Sequence, residues 1–222
     1  MNSMTNNPFA PSDLIMPEHL PIFPLTGVLL MPFGQLPLNI FEPRYVAMIE
    51  DAIANERMIG MIQPKKEGGH DLYDVGCAGK ITEFSETEDG RYLITLSGIS
   101  RFKIEREVSS DKLYRIVVPN WSAFEDDLGR KQCLDVDRGR LKELLSHYFD
   151  QEDMSCDFSK FDNVQDGKLM TCLSMVCPFD PREKQALLEQ VCCVARAKLF
   201  MTMLEMAIEQ GTGADMSQKS FH

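Results

Sequence analysis

Cysteine and histidine come first, because together they can make a metal site or an activated nucleophile. Seven cysteines stand at positions 77, 133, 156, 172, 177, 192 and 193. No two of them have the C-x-x-C spacing of a zinc or redox pair. Cys192 and Cys193 are neighbours in an expected helix, where adjacent side chains diverge by about 100° and chelate poorly together. The histidines, His19, His70, His147 and His222, fall in four separate segments. No metal and no cofactor is expected from this set. Cys77 and His70 form the nearest Cys–His pair, but neither an oxyanion loop nor an orienting partner accompanies them. A thiol hydrolase is carried as a third reading, and its mark would be a low-pKa, reactive cysteine. The stretch Gly76–Lys80 has two glycines and a lysine. A phosphate loop needs wider glycine spacing, and a Ser or Thr after the lysine where this chain has Ile81. Ser97-Gly98-Ile99-Ser100 lacks the leading glycine of a serine nucleophile elbow.

Arg101, Lys103 and Arg106 form the one local basic cluster. Strand alternation puts Arg101 and Lys103 on one face, opposite Phe102 and Ile104, where they read as a solvated face or a contact for an acidic partner. The net charge is -11, spread over both halves of the chain. Phosphate backbones are repelled at long range, so DNA is not an expected partner and RNA is the weaker alternative.

The elements that would position such residues change character along the chain. Residues 1–18 are polar and proline-punctuated, a mobile lead-in. Short apolar runs follow, at Ile22–Phe23, Val28–Met31, Leu36–Ile40, Ile59–Gln63, Gly79–Phe84, Tyr92–Ser97, Phe102–Val108 and Tyr114–Asn120, and read as strands. Asp89–Gly90 is expected to make a type I′ hairpin turn. Between these runs, Pro43–Ala54 has helical spacing, with proline in the first turn. After Trp121 the helical period takes over. One helix carries Leu141, Leu144, Leu145 and Tyr148, and a second runs from Leu169 to Val176. A third is capped by Asp180 and Glu183 with Pro181 at its start, and is expected to run unbroken through Leu188, Val191, Ala195, Leu199 and Met206 to Gly211. The acidic span Gln151–Asp166 reads as a loop, and 211–222 as a flexible tail. The fold class is α+β, with a compact barrel or sandwich over 19–121 followed by a helical subdomain over 122–210.

No apolar run approaches the roughly 20 residues of a membrane span. Met1–Pro17 carries no basic residue ahead of an apolar stretch, so export is not expected. The odd, irregular cysteines point to a reducing compartment. A soluble, cytoplasmic protein with no membrane partner is the expectation.

Several ordered motifs carry a family resemblance. Leu20-Pro21-Ile22-Phe23-Pro24-Leu25 resembles the opening strand of the LON N-terminal domain family. Leu36 through Tyr45, ending Phe41-Glu42-Pro43-Arg44-Tyr45, resembles its most diagnostic motif. Tyr73 to Ile81, Gly90-Arg91-Tyr92, and Ser97-Gly98-Ile99-Ser100-Arg101-Phe102 match the strands that follow. Pro178-Phe179 and Glu183–Glu189 resemble a helix start seen in stand-alone bacterial members. The match spans about 20–205. The resemblance implies a PUA-like β-barrel with one packed helix, then helices, and a role in substrate engagement and self-association. It is to the substrate-binding part of Lon protease. No Walker A motif or Ser–Lys protease domain is found in these residues, and no catalytic residue carries over.

Phe41, Glu42, Pro43, Arg44 and Tyr45 are expected to be structural. Phe41 would end a strand, Glu42 would sit at the helix mouth, Pro43 would start the helix, and Arg44 and Tyr45 would lock helix to barrel. The expected function is a non-catalytic protein- or peptide-binding module, engaging unfolded or client polypeptides or a partner protease. Met31 and Phe33, apolar residues near turns, are the expected contacts, with burial against the barrel as the competing reading that their surface exposure decides. An RNA-binding module is the alternative, and the terminal helix is free to pack on its own chain or, in a homodimer, on a second copy.

Overall fold

A computed structural model describes residues 15–128 and 135–218. The start of the expected lead-in, Cys133 and His222 lie outside the described residues. The chain parts into two compact units, Met1–Lys131 and Gln132–His222.

The first unit is built on six strands: β1 (Leu20–Pro24), β2 (Gln35–Ile40), β3 (Met58–Ile62), β4 (Val75–Glu86), β5 (Tyr92–Val108) and β6 (Arg115–Asn120). Their order is β2-β5-β4-β3-β1-β6, with β5 also paired to β6. The sheet therefore closes on itself, and β2 lies outside the ring on β5. β1 and β3 run parallel, and every other pair is antiparallel.

Closure depends on β5, whose first residues pair with β2 and whose last pair with β6. Two separate strands were expected here. A register shift opposite Ala78 and Gly79 lets one bent strand serve both neighbours. The hairpin joining β4 to β5 also differs from expectation. Gly90 alone has positive φ, at 78°, and Gly90 N–H donates to the Thr87 carbonyl. This is a type I turn closed by a left-handed glycine, not a type I′ turn.

The barrel interior holds Leu20, Ile22, Met58, Ile62, Ala78, Ile99, Phe102 and Val117. Phe102 fits because Gly76 is bare: a β-carbon there would lie 2.7 Å from its ring. Val28–Met31 is not a strand. Leu29, Leu30 and Met31 are buried as irregular chain. Helix α1 (Pro43–Ala54) lays Tyr45, Met48, Ile49 and Ala52 inward. The last residues of the expected lead-in are held: Met16 packs on the core, and Trp121 Nε1–H donates to the Pro17 carbonyl at 3.3 Å.

The segment Ser122–Leu128, expected to open the helical part, forms 3-10 turns bolted to the barrel. Asp127 accepts from Arg101 Nε and Nη2, both at 2.8 Å, and from the Arg101 backbone N–H at 2.9 Å.

The second unit contains α2 (Arg138–Gln151), α3 (Asp166–Val176), α4 (Pro181–Leu188) and α5 (Cys193–Gln218). Its core joins Leu141, Leu145, Tyr148, Phe179, Phe200 and Leu204. Asp180 and Glu183 form the expected capping box on α4. The long third helix that was expected is two helices. Val191 is exposed in the break, and the buried Arg196 Nε–H donates to the Leu187 carbonyl at 3.1 Å, satisfying an acceptor freed where α4 stops. Met206 is exposed, and the buried stripe of α5 is Ala197, Phe200, Met203 and Leu204. α5 continues past Gly211, since glycine weakens a helix by roughly 1 kcal/mol without ending it.

Candidate functional site

The motif at the mouth of α1 divides into parts. Glu42 is the N-cap residue, but its carboxylate caps no backbone N–H and instead pairs with Arg44 at 2.8 Å. Pro43 opens the helix. The Arg44 guanidinium lies over the Tyr45 ring, 4.4 Å from its centroid. Tyr45 is buried against Phe23 of β1, with ring centroids 4.2 Å apart, and burial raises its hydroxyl pKa. Tyr45 thus locks helix to barrel. Arg44 is exposed and braces Tyr45 from outside. Phe41 departs from the expected structural role: it follows the last residue of β2 and is 65% exposed.

Arg44 and Tyr45 also line a cleft of about 340 Å³, with Leu25, His70, Tyr114 and Arg115. The Arg115 guanidinium is committed within the unit. Its Nε and Nη2 donate to Glu107 at 2.8 and 2.7 Å, and Nη1 donates to the His70 carbonyl at 2.7 Å.

The two apolar residues expected to make contacts part company. Met31 is 0% exposed and belongs to the core, so it cannot touch a partner. Phe33 is 43% exposed and has φ of 66°. Gly34 N–H donates to the Met31 carbonyl at 2.9 Å, closing a turn with Pro32 and Phe33 at its centre. Phe33 takes the position that such a turn normally gives to Gly or Asn. Two further bonds fix the turn on β5: Phe33 N–H donates to the Gly98 carbonyl at 2.9 Å, and Gly98 N–H donates to the Gly34 carbonyl at 2.8 Å. A left-handed conformation costs a side-chain-bearing residue about 1–2 kcal/mol. Here it holds an aromatic ring toward solvent.

From Phe33 the chain enters β2, which with the first part of β5 and the last part of β4 forms a shelf outside the closed ring. Phe84, opposite Ile94, and Leu93, opposite Ser85, are both 44% exposed and stand on its two faces. They border a shallow depression of about 510 Å³ with Pro37 and Leu38. Phe84 and Leu93 were not among the expected contacts. Their signal in sequence is an aromatic and a leucine placed among Glu83, Glu86 and Arg91, beside the turn.

The other candidate chemistries separate. Arg101 is 2% exposed, not on a solvated face. Its guanidinium faces Asp127 and stacks 4.2 Å from the Phe124 ring centroid, so the basic cluster loses its first member and the RNA reading its anchor. Cys77 is buried in β4 and His70 is exposed on a loop. Gly76–Lys80 is strand, not loop. Among the described residues, no group of His, Cys, Asp and Glu is placed to hold a metal ion.

The closed sheet with its outlying β2 and the helical unit place the chain in the mixed α+β class seen in Lon N-terminal domains. It superposes with a TM-score of 0.59 on a Lon N-terminal domain protein from Xanthomonas campestris, at 20% identity, covering 83% of this chain and 97% of that one. For the N-terminal domain of a Mycobacterium avium complex Lon protease the TM-score is 0.61, at 16% identity, covering 86% and 98%. Residues 19–206 match the family described as the ATP-dependent protease La (LON) substrate-binding domain, and the chain belongs to that family. It is 25% identical over 208 residues to Lon protease 2 of Myxococcus xanthus, covering 88% of this chain and 25% of that protein. Against the Lon protease of Anaeromyxobacter dehalogenans it is 25% identical, covering 85% of this chain and 23% of that protein. The chain thus spans about a quarter of the length of these relatives.

Proposed function

We propose that this chain is a non-catalytic module that binds exposed apolar segments of unfolded or client polypeptides, through exposed apolar residues of its first unit, Phe33 foremost, with Phe84 and Leu93 on the two faces of the β2–β5–β4 shelf. The observation that carries this reading is Phe33: an exposed aromatic held at a backbone position suited to glycine. Strain of this kind persists only where the surroundings enforce it, and it clusters at functional sites. Aromatic side chains on a rigid strand framework supply contact area at low conformational cost. Membership of a substrate-binding family supports the same role, with a protease as the partner to which clients would pass. The seven irregularly spaced cysteines, an odd count, support a reducing, cytoplasmic setting. DNA and membranes are not partners in this reading.

The test is a titration of the protein into fluorescently labelled, reduced and alkylated lysozyme, a permanently unfolded chain. Saturable binding is expected, weakened on the order of tenfold by Phe33→Asp, as for a residue near the centre of an interface. Absence of binding, or binding indifferent to Phe33, Phe84 and Leu93 together, would remove the proposal.

A further inference from the structure

The shelf has two strand edges, and they are not equivalent. Thr87 N–H donates to the Arg91 carbonyl at 2.9 Å. The pairs then step back through Glu86–Tyr92, Ser85–Leu93, Phe84–Ile94 and Glu83–Thr95. Antiparallel pairs alternate between hydrogen-bonded and non-bonded. Phe84 and Glu86 therefore turn their backbone N–H and C=O groups away from β5. On that side β3 has already ended: its last ladder partner on β4 is Lys80, and Ile81 N–H donates to the Arg57 carbonyl at 2.8 Å. Thr82 through Glu86 are all exposed. Among the described residues, no hydrogen bond reaches the outward groups of Phe84 or Glu86.

The same alternation, carried across β5, turns Gln35, Pro37 and Asn39 outward on β2. Pro37 has no N–H to offer, and proline at the centre of an edge strand blocks strand addition. One edge of the shelf is blunted and the other is open.

Charge selects what the open edge would take. Glu83, Glu86 and Glu88 flank Phe84, and the neighbouring Arg91 is neutralised by Asp89 through a 2.5 Å ion pair. A second copy of this chain would bring the same acidic edge against itself.

We infer that the outer edge of β4, at Phe84 and Glu86, accepts an extended, unfolded segment as an added strand, one in which apolar residues alternate with Lys or Arg. This rests on the polypeptide-binding reading above. Backbone pairing with Phe84 and Glu86 gives affinity without fixed sequence. The Phe84 ring packs on apolar residues of the segment, and the acidic flanks select its cationic ones.

The probe is the peptide acetyl-Lys-Val-Lys-Phe-Lys-Val-Lys-amide, with Glu replacing Lys in a control. Binding of the basic peptide is expected to slow amide hydrogen exchange at Phe84 and Glu86 in the wild type, and the acidic control is expected not to bind. Glu86→Pro removes an outward N–H and no ladder bond to β5, whereas Glu86→Ala removes only the charge. The proline variant should bind about fivefold more weakly than the alanine variant, the worth of one hydrogen bond. Equal affinity of the two variants, or protection at Gln35 and Asn39 in place of Phe84 and Glu86, overturns the inference. If unfolded lysozyme binds and the basic peptide does not, strand addition fails while the polypeptide-binding reading stands. If neither binds, both fail.

Discussion

The bare α-carbon of Gly98 lies against the carbonyl of Met31: a β-carbon on Gly98 would sit 1.9 Å from that oxygen. This close approach docks the Met31–Gly34 turn on β5, and the turn in turn holds Phe33 outward. Core, strand bend and exposed aromatic are linked through one missing methyl group.

Gly98→Ala must push the turn off the strand. We expect a stability loss of about 2 kcal/mol or more, the size of a core overpacking defect that the backbone must absorb. Urea unfolding measures it, and an unchanged midpoint would mean the turn moves freely.

Asp127→Ala removes the carboxylate that the buried Arg101 guanidinium faces. Breaking such a pair costs roughly 3–5 kcal/mol, while replacing both partners with apolar residues of similar volume is near neutral. Asp127→Ala should therefore unfold at markedly lower denaturant than Arg101→Met/Asp127→Leu. The double variant should lie close to the wild type.

Acid stability should depend on Asp51. Tyr114 donates to its carboxylate at 2.6 Å and Lys112 pairs with it at 2.9 Å. These partners, the Tyr114 hydroxyl foremost, lower its pKa. A lowered carboxyl contributes fully above its unfolded value of about 3.9, and loses that contribution as pH falls through the folded value. Asp51→Asn should therefore reduce stability at neutral pH and match the wild type in strong acid. The difference between their denaturation curves across pH reads this directly.

Thiol labelling separates the binding module from a thiol enzyme. Burial pushes the Cys177 thiol up to about 12, and Cys77 is enclosed in the sheet, whereas Cys172 and Cys192 are exposed. In the folded protein, alkylation at pH 8 should reach Cys172 and Cys192 first and leave Cys77 and Cys177 until unfolding. A fast, selectively reactive buried cysteine would revive the enzyme reading.

What the sequence disclosed depended on range. The α1 mouth and the capping box of α4 were legible, because proline at a first turn and Asp-x-x-Glu act within four residues of one another. Arg101 was not. Alternation assigns it outward, and its partner Asp127 stands 26 residues further on. The break between α4 and α5 was hidden for a like reason: apolar periodicity reads through it, while Arg196 satisfies Leu187 only in three dimensions. Phe33 could be placed near a turn, but its positive φ contradicts the usual preference for glycine there, so no local rule announces it. The family motif residues Gly98, Arg101 and Phe102 are structural here, and the proposed contacts Phe84 and Leu93 lie outside the motifs.

In the proposed function, Phe33 is kept for contact at a cost in stability. Phe33→Gly tests it most directly, with urea unfolding and binding to reduced, alkylated lysozyme measured on the same preparation. A gain of about 1 kcal/mol is expected, from relief of the left-handed strain, together with clearly weakened binding. A loss of stability with binding unchanged would contradict it, and would make Phe33 an ordinary packing residue.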